Sequence, residues 1–266
     1  MRIGIVGHGV VGKHLEESFR FANLETVVYD KYDPSMASAT RKAEVNDCDA
    51  VFIAVPTPQK DGGECDTSIV EETVAWIQRP ICIKSTVVPG TTQRLVALTG
   101  KDIVFSPEYV GETCFHRYRD FRIPDLIAVG GKRRVCEIFI DAYRSAFGPE
   151  PTYIVTDSNT AELAKYMENC FLATKVAFVS QFYLLAQQLE ADFTQMREIW
   201  VADTRVGKSH STVVDGLGFG GRCLPKDLSA IIRCAQQHGT APTLLEAVQN
   251  FNNSLKEDQS DGLESV

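Results

Sequence analysis

The run Gly216-Leu217-Gly218-Phe219-Gly220-Gly221-Arg222-Cys223-Leu224-Pro225-Lys226-Asp227 sets one cysteine between a glycine-rich loop and a helix start. Glycines let a backbone turn tightly and approach a ligand closely. Pro225 suits the first turn of a helix, where its missing N–H costs nothing. The partial positive charge at a helix start favours a thiolate over a thiol, and Lys226 adds a full charge nearby. Cys223 is therefore expected to be an activated nucleophile, with a buried structural cysteine as the competing reading.

The other chemistry-bearing pattern lies at the N-terminus. Gly7-His8-Gly9-Val10-Val11-Gly12 follows an apolar run, Ile3 to Val6, and precedes a helical pattern from Lys13 to Ala22. A second run, Thr26 to Tyr29, ends in Asp30, 18 residues beyond Gly12. A G-x-G-x-x-G alone is weak, but with strand, helix and acid in place it is a dinucleotide fingerprint. Gly7, Gly9, Val11 and Gly12 would hold a pyrophosphate at the helix start. Asp30 would accept bonds from the adenosine ribose and repel the extra phosphate of NADP. NAD is the expected cofactor, and the neighbouring Lys31 softens that preference without reversing it.

The elements needed to position these residues follow in order. Apolar runs at 50–55, 81–85, 103–105, 126–129 and 153–155 read as strands, with helices near 68–77, 91–98 and 133–147 between them. Such alternation predicts an α/β fold whose N-terminal part is a Rossmann-like, doubly wound parallel sheet. Ligands of such sheets bind beyond the carboxyl ends of the strands, where Thr57, Thr86 and Glu108 fall. Residues 159–189 contain neither Gly nor Pro and keep helical periodicity, which predicts one long linking helix. Further helices are expected at 193–201, 228–238 and 242–255, making an all-α central domain. The expected division is 1–156 for the NAD-binding domain, 157–255 for the helical dimerisation domain with the cysteine loop, and 256–266 for a frayed polar tail.

Composition narrows the function classes. A net charge of −8 argues against a nucleic-acid surface, which needs a basic face. The eight cysteines show no C-x-x-C spacing, neither a disulfide framework nor a zinc pattern, and the five histidines make no metal site. The chain opens without a signal peptide, and the apolar stretch from Cys170 to Leu189 carries Lys175, Ser180 and Gln181, so no membrane span is expected. A cytoplasmic protein is the default. On spacing alone, Lys165 and Asn169 read as a solvated helix face, whereas Glu108 and Glu112 read either as site residues or as loop or helix surface charges.

Taken together, these motifs resemble the UDP-glucose/GDP-mannose dehydrogenase family. The resemblance rests on Gly7 to Gly12, Val55-Pro56-Thr57-Pro58, Asp61-Gly62, Asp66-Thr67-Ser68, Lys84-Ser85-Thr86-Val87 and Ser106-Pro107-Glu108. It extends through Ala161 to Lys165, Asn169, Phe171-Leu172-Ala173 and the loop from Gly218 to Asp227. It implies a four-electron oxidation of a nucleotide-sugar 6-hydroxyl to the carboxylate, with UDP-glucose the leading substrate. Cys223 would capture the aldehyde as a thiohemiacetal and pass through a thioester. Lys165 and Asn169 would stabilise oxyanions, Asp227 would share the acid/base work, and Glu112 would activate the hydrolytic water. NAD contacts would come from Thr57, Thr86, Glu112 and Lys226, with Thr86 also serving catalysis. Substrate contacts would come from Glu108, Lys165, Asn169, Phe219 and Gly220. Two positions depart from the family pattern: Val10, where tyrosine is usual, and Gly111, where arginine is usual.

Family members also carry a C-terminal α/β domain that holds much of the nucleotide. The expectation is therefore a short form, a half of a two-chain enzyme or a truncated remnant. A non-catalytic or partner-dependent NAD-binding dimeric scaffold and a dehydrogenase of a smaller alcohol are the alternatives. The apolar face of the long helix (Leu163, Met167, Phe171, Val179, Leu185) predicts a homodimer built on it.

Overall fold

The computed structural model describes residues 1–109, 124–213 and 216–261. They divide into two compact units: residues 1–60 with 65–165, and residues 61–64 with the chain from Tyr166 onward.

The first unit is built on a seven-stranded sheet of order β2-β1-β3-β4-β5-β6-β7. β1 (Arg2–Val6), β2 (Glu25–Tyr29), β3 (Ala50–Ile53), β4 (Ile81–Ile83) and β5 (Ile103–Phe105) are parallel neighbours. Their apolar runs are continuous because both faces are covered. In β3, Ala50 and Phe52 point into one core cluster, with Ile3, Ile5, Phe19 and Phe139, while Val51 and Ile53 point into the other, with Val70, Val74 and Leu95. Helices α1 (Val10–Phe21), α2 (Ala39–Asn46), α3 (Ser68–Trp76), α4 (Thr91–Thr99) and α5 (Arg133–Phe147) supply those covers. On one face the Phe52 ring meets Phe19 at 5.3 Å and Phe139 edge-on at 5.1 Å.

The expected parallel sheet holds for five strands and then reverses. β6 (Leu126–Gly130) runs antiparallel to β5, pairing Gly130 with Phe105, and β7 (Thr152–Thr156) is parallel to β6. Helix α2 was not among the expected elements: its sequence is polar and buries only Val45. The chain reverses its winding at β1, which lies between β2 and β3. A crevice for a ligand is expected at that switch point.

The long helix α6 spans Ser158–Gln188, and the unit boundary falls inside it, between Lys165 and Tyr166. Its first turns belong to the sheet unit because Ala161 packs into the second core cluster there. Glu162 is fully buried and accepts the backbone N–H groups of Gly90 (2.7 Å) and Thr92 (2.9 Å) at the start of α4. Burial pushes the Glu162 carboxyl up, against the pull of those N–H donors.

In the second unit, α6 continues with α7 (Phe193–Ala202), α8 (Leu224–Gln237) and α9 (Thr243–Asp261) around a core of Cys170, Ala173, Phe219, Leu228, Ile232 and Val248. Residues 61–64 join it through Arg233, whose Nε donates to the Gly62 carbonyl at 2.7 Å. Two boundaries differ from expectation. α8 begins four residues earlier, because Pro225 fits its first turn, and α9 continues to Asp261, through most of the segment expected to fray. By length and mean hydropathy α6 is apolar enough to cross a membrane, despite Lys175, Ser180 and Gln181. Yet Glu162, Lys165, Asn169 and Ser180 are all buried along it. Leu163, Met167, Phe171 and Leu185 are 50–76% exposed, whereas Val179 faces inward and is 3% exposed.

Candidate active site

The sheet unit carries the glycine turn between β1 and α1. Gly7 has φ +95°, and a Cβ there would lie 2.4 Å from the Ala54 carbonyl oxygen. A Cβ on Gly12 would lie 1.9 Å from the Gly7 oxygen, so the helix enters this close to the strand only without one. Gly9 differs: no atom comes within 4 Å of its would-be Cβ. The first turn of α1 has no side-chain cap and no acidic residue, which leaves its N–H donors for an anion. Val11 packs behind the turn, against the first core cluster. This is a cradle that fits a dinucleotide pyrophosphate.

Asp30, at the end of β2, accepts the N–H of His8 at 2.6 Å and of Tyr32 at 2.8 Å. Those two bonds fix the carboxylate beside the turn and leave acceptor capacity for a ribose. Lys31 is paired with Glu72 at 3.2 Å, and the Glu72 carboxylate raises its pKa. A pocket lined by Gly7, Asp30, Lys31, Pro56, Glu72 and Trp76 opens here.

Farther along the strand ends, Thr57 Oγ1 donates to the Thr86 carbonyl at 2.8 Å, tying the β3 and β4 loops together. Glu108 follows β5 and pairs with Lys84 Nζ at 3.2 Å. Lys84 also donates to the Pro107 carbonyl at 2.9 Å and lies 5.5 Å from the centre of the Tyr143 ring. Burial works to lower the Lys84 pKa, but the Glu108 carboxylate and the Tyr143 phenol outweigh it and hold it above the ordinary lysine value. Lys165 is 8% exposed, with its ammonium 5.0 Å from the centre of the Tyr109 ring, a cation–π distance. Its burial removes the solvated-face reading. Glu112 and Gly111 lie outside the described residues.

The helical unit holds the cysteine. Cys223 occupies the N-cap position of α8 and is exposed, with Pro225 in the first turn behind it. Asp227, 1% exposed, lies in that same first turn. Its carboxylate accepts the Asn169 amide at 2.5 Å and the Lys226 ammonium at 2.5 Å. Lys226, which the resemblance aims at the cofactor, is thus engaged by Asp227. Asn169 is 6% exposed, again not a solvated face. The Phe219 ring is buried in the unit's core, and its N–H donates to Asn252 Oδ1 at 2.6 Å, while Gly220 is exposed. What this stretch offers a ligand is backbone.

Sequence reasoning gave no role to Lys84, Glu72, Glu162, Ser180 or Asn252. Ser180 Oγ accepts the Gly218 N–H at 2.9 Å, and with Asn252 it pins the glycine loop. The only available signal was a polar residue on an otherwise apolar helix face.

Comparison with known proteins bears on these residues. The model of the UDP-glucose/GDP-mannose dehydrogenase family, NAD binding domain, matches residues 22–146, and that family's central domain matches residues 159–254. A UDP-glucose 6-dehydrogenase of Rickettsia prowazekii is 33% identical over 79% of this chain and 50% of its own length. One of Haloferax volcanii is 29% identical over 95% of this chain and 66% of its own. The structure of a UDP-glucose dehydrogenase from Pyrobaculum islandicum superposes with a TM-score of 0.82 at 28% identity, covering 95% of this chain and 68% of that one. The chain thus spans about half to two thirds of the length of these relatives.

Proposed function

The chain belongs to the UDP-glucose/GDP-mannose dehydrogenase family, and from that premise we propose that it oxidises a nucleotide-sugar 6-hydroxyl to the carboxylate, UDP-glucose being the leading substrate. The observation that carries this reading is the exposed Cys223 thiol at the start of α8, in the same first turn as a buried Asp227 that also holds Asn169 and Lys226. A structural cysteine would be buried; a dinucleotide-binding scaffold would need none of these partners.

NAD, when bound, supplies the acceptor for a hydride in each of the two oxidation steps. The glycine turn and the N–H groups of α1 would hold its pyrophosphate and Asp30 its ribose, with Thr57 and Thr86 shaping the strand ends beside it. Cys223, as thiolate, adds to the carbonyl carbon of the aldehyde and makes it tetrahedral, the geometry from which a second hydride can leave. Oxidation of that thiohemiacetal leaves a thioester, and water cleaves it to the acid and the regenerated thiol. Negative charge gathers on the former carbonyl oxygen at the addition and again at hydrolysis. Lys165 and Asn169 would donate to it, and Asp227 would accept and return the protons. Glu112 would activate the water, and Glu108, Phe219 and Gly220 would contact the sugar nucleotide. The buried thiols of Cys48, Cys82, Cys136 and Cys170 carry no disulfide, which suits the reducing cytoplasm proposed for the protein.

The test is a titration of the purified protein with UDP-glucose and NAD, counting NADH formed per sugar acid. Two per acid supports the reading. NAD binding with no turnover on any sugar nucleotide overturns it in favour of a scaffold.

The exposed residues of α6 support a homodimer. Leu163, Met167 and Phe171 repeat every fourth residue, and Phe178, Phe182 and Leu185 continue the stripe. An apolar row of this length on one helix face marks a protein interface. Light scattering at micromolar concentration is expected to give a dimer mass, and Met167→Glu with Phe171→Glu a monomer. A monomeric parent protein would sink the proposal.

A further inference from the structure

Two ammonium groups line the pocket beside Asp30, and both are occupied. Lys42 lies over the rings of Tyr29 and Trp76, at 5.3 and 5.0 Å from their centres. Lys31 reaches both carboxylate oxygens of Glu72, at 3.2 and 3.3 Å, from the end of β2 to the side of α3. Asp30 and Glu72 are both among the lining residues. The pocket therefore presents two carboxylates, and the lysine adjacent to Asp30 is turned to one of them.

We propose that Glu72 is a specificity-determining residue of the dinucleotide site, excluding an adenosine ribose that carries an extra phosphate. The inference rests on the assignment of this pocket to the adenosine half of NAD. Glu72 acts in two ways. It adds a negative charge to the wall that already bears Asp30, and it engages Lys31, the lysine next to Asp30 in sequence, which could otherwise compensate a phosphate there. Lys31 and Glu72 are 56% and 62% exposed, so their pairing adds little to the stability of the fold. Its consequence lies in the charge offered to a ligand. With Glu72 neutral, the Lys31 ammonium is released and can meet the phosphate in a charge-assisted hydrogen bond.

Calorimetric titration of the wild-type protein and of Glu72→Gln with NAD and with NADP, at low ionic strength, tests this. The ratio of NADP to NAD affinity is expected to rise about tenfold in Glu72→Gln. Adding Lys31→Met to that variant is expected to erase the gain, as a double-mutant cycle requires of a coupled pair. Salt near 1 M is expected to shrink it, since exposed charges are screened there. A ratio within about twofold of the wild-type value, or a gain that survives Lys31→Met, overturns the proposal. A wild-type protein that binds neither dinucleotide overturns the pocket assignment itself, and the role of Glu72 falls with it.

Discussion

Replacing Cys223 by serine is expected to abolish formation of the sugar acid while leaving NAD binding in place. The glycine turn and the pocket beside Asp30 are built from residues of the sheet unit, and Cys223 is not among the residues that line that pocket. What serine would remove is the proposed nucleophile: a hydroxyl ionises far less readily than a thiol at a helix start and does not capture an aldehyde efficiently. Residual turnover is therefore expected to stop after one hydride per substrate. The thiol itself can be read by alkylation. Burial pushes the Cys48 and Cys136 thiols up to about 11 and those of Cys82 and Cys170 up to about 12. Near pH 8 a thiol of pKa 11 is ionised to about one part in a thousand, before its inaccessibility is counted. Iodoacetamide should thus label Cys223 first, and UDP-glucose with NAD should protect it, as mass-spectrometric mapping against time would show. Labelling of Cys223 no faster than Cys48 or Cys234 rejects the activated-nucleophile assignment. Fast labelling that UDP-glucose never slows keeps the chemistry and rejects the substrate.

What the sequence made legible is local. The central strands could be read because both their faces are buried, so that each residue of β3, from Ala50 to Ile53, had to be apolar. The glycine turn could be read because Gly7 and Gly12 stand where a Cβ has no room. α6 could be read because 31 residues pass without a breaker. Strand direction could not: Leu126 to Gly130 shows the same apolar pattern whichever way it runs, and only its pairing with β5 reveals the reversal. Nor could α2, whose single buried residue leaves no periodicity to detect. The candidate site divides along the same line. Cys223, Asp30 and the glycines sit in contiguous motifs, whereas Lys84 with Glu108, Glu162 with Gly90 and Asn252 with Phe219 are joined across 24, 72 and 33 residues. Lys165 and Asn169 fell between the two cases. Their spacing was plain, but burial, which makes them more than a solvated helix face, comes from tertiary packing.

Asp227→Ala is expected to cost both stability and activity, and Asp227→Asn to separate the two. The carboxylate is 1% exposed and serves three ends at once. It accepts the amide of a buried Asn169, it neutralises Lys226, and it puts a negative charge in the first turn of α8, where the helix dipole favours one. Alanine leaves a buried amide without its acceptor and an ammonium, 17% exposed, without its counter-charge. Removing one partner of a buried pair costs about 3–5 kcal/mol, and the partial exposure of Lys226 places this variant near the lower end. A denaturant titration should show the midpoint falling with little change of slope. Asparagine keeps the shape and restores one hydrogen bond, because the Asn169 amide can still donate to the new carbonyl. Lys226 still loses its counter-charge and faces the new amide nitrogen, so the loss should be about 2 kcal/mol, below that of alanine. Asparagine cannot take up a proton, however, so turnover should fall as far in this variant as in alanine. An asparagine variant that turns over like the parent would remove Asp227 from the proton chemistry. An alanine variant as stable as the parent would remove it from the support of the cysteine loop.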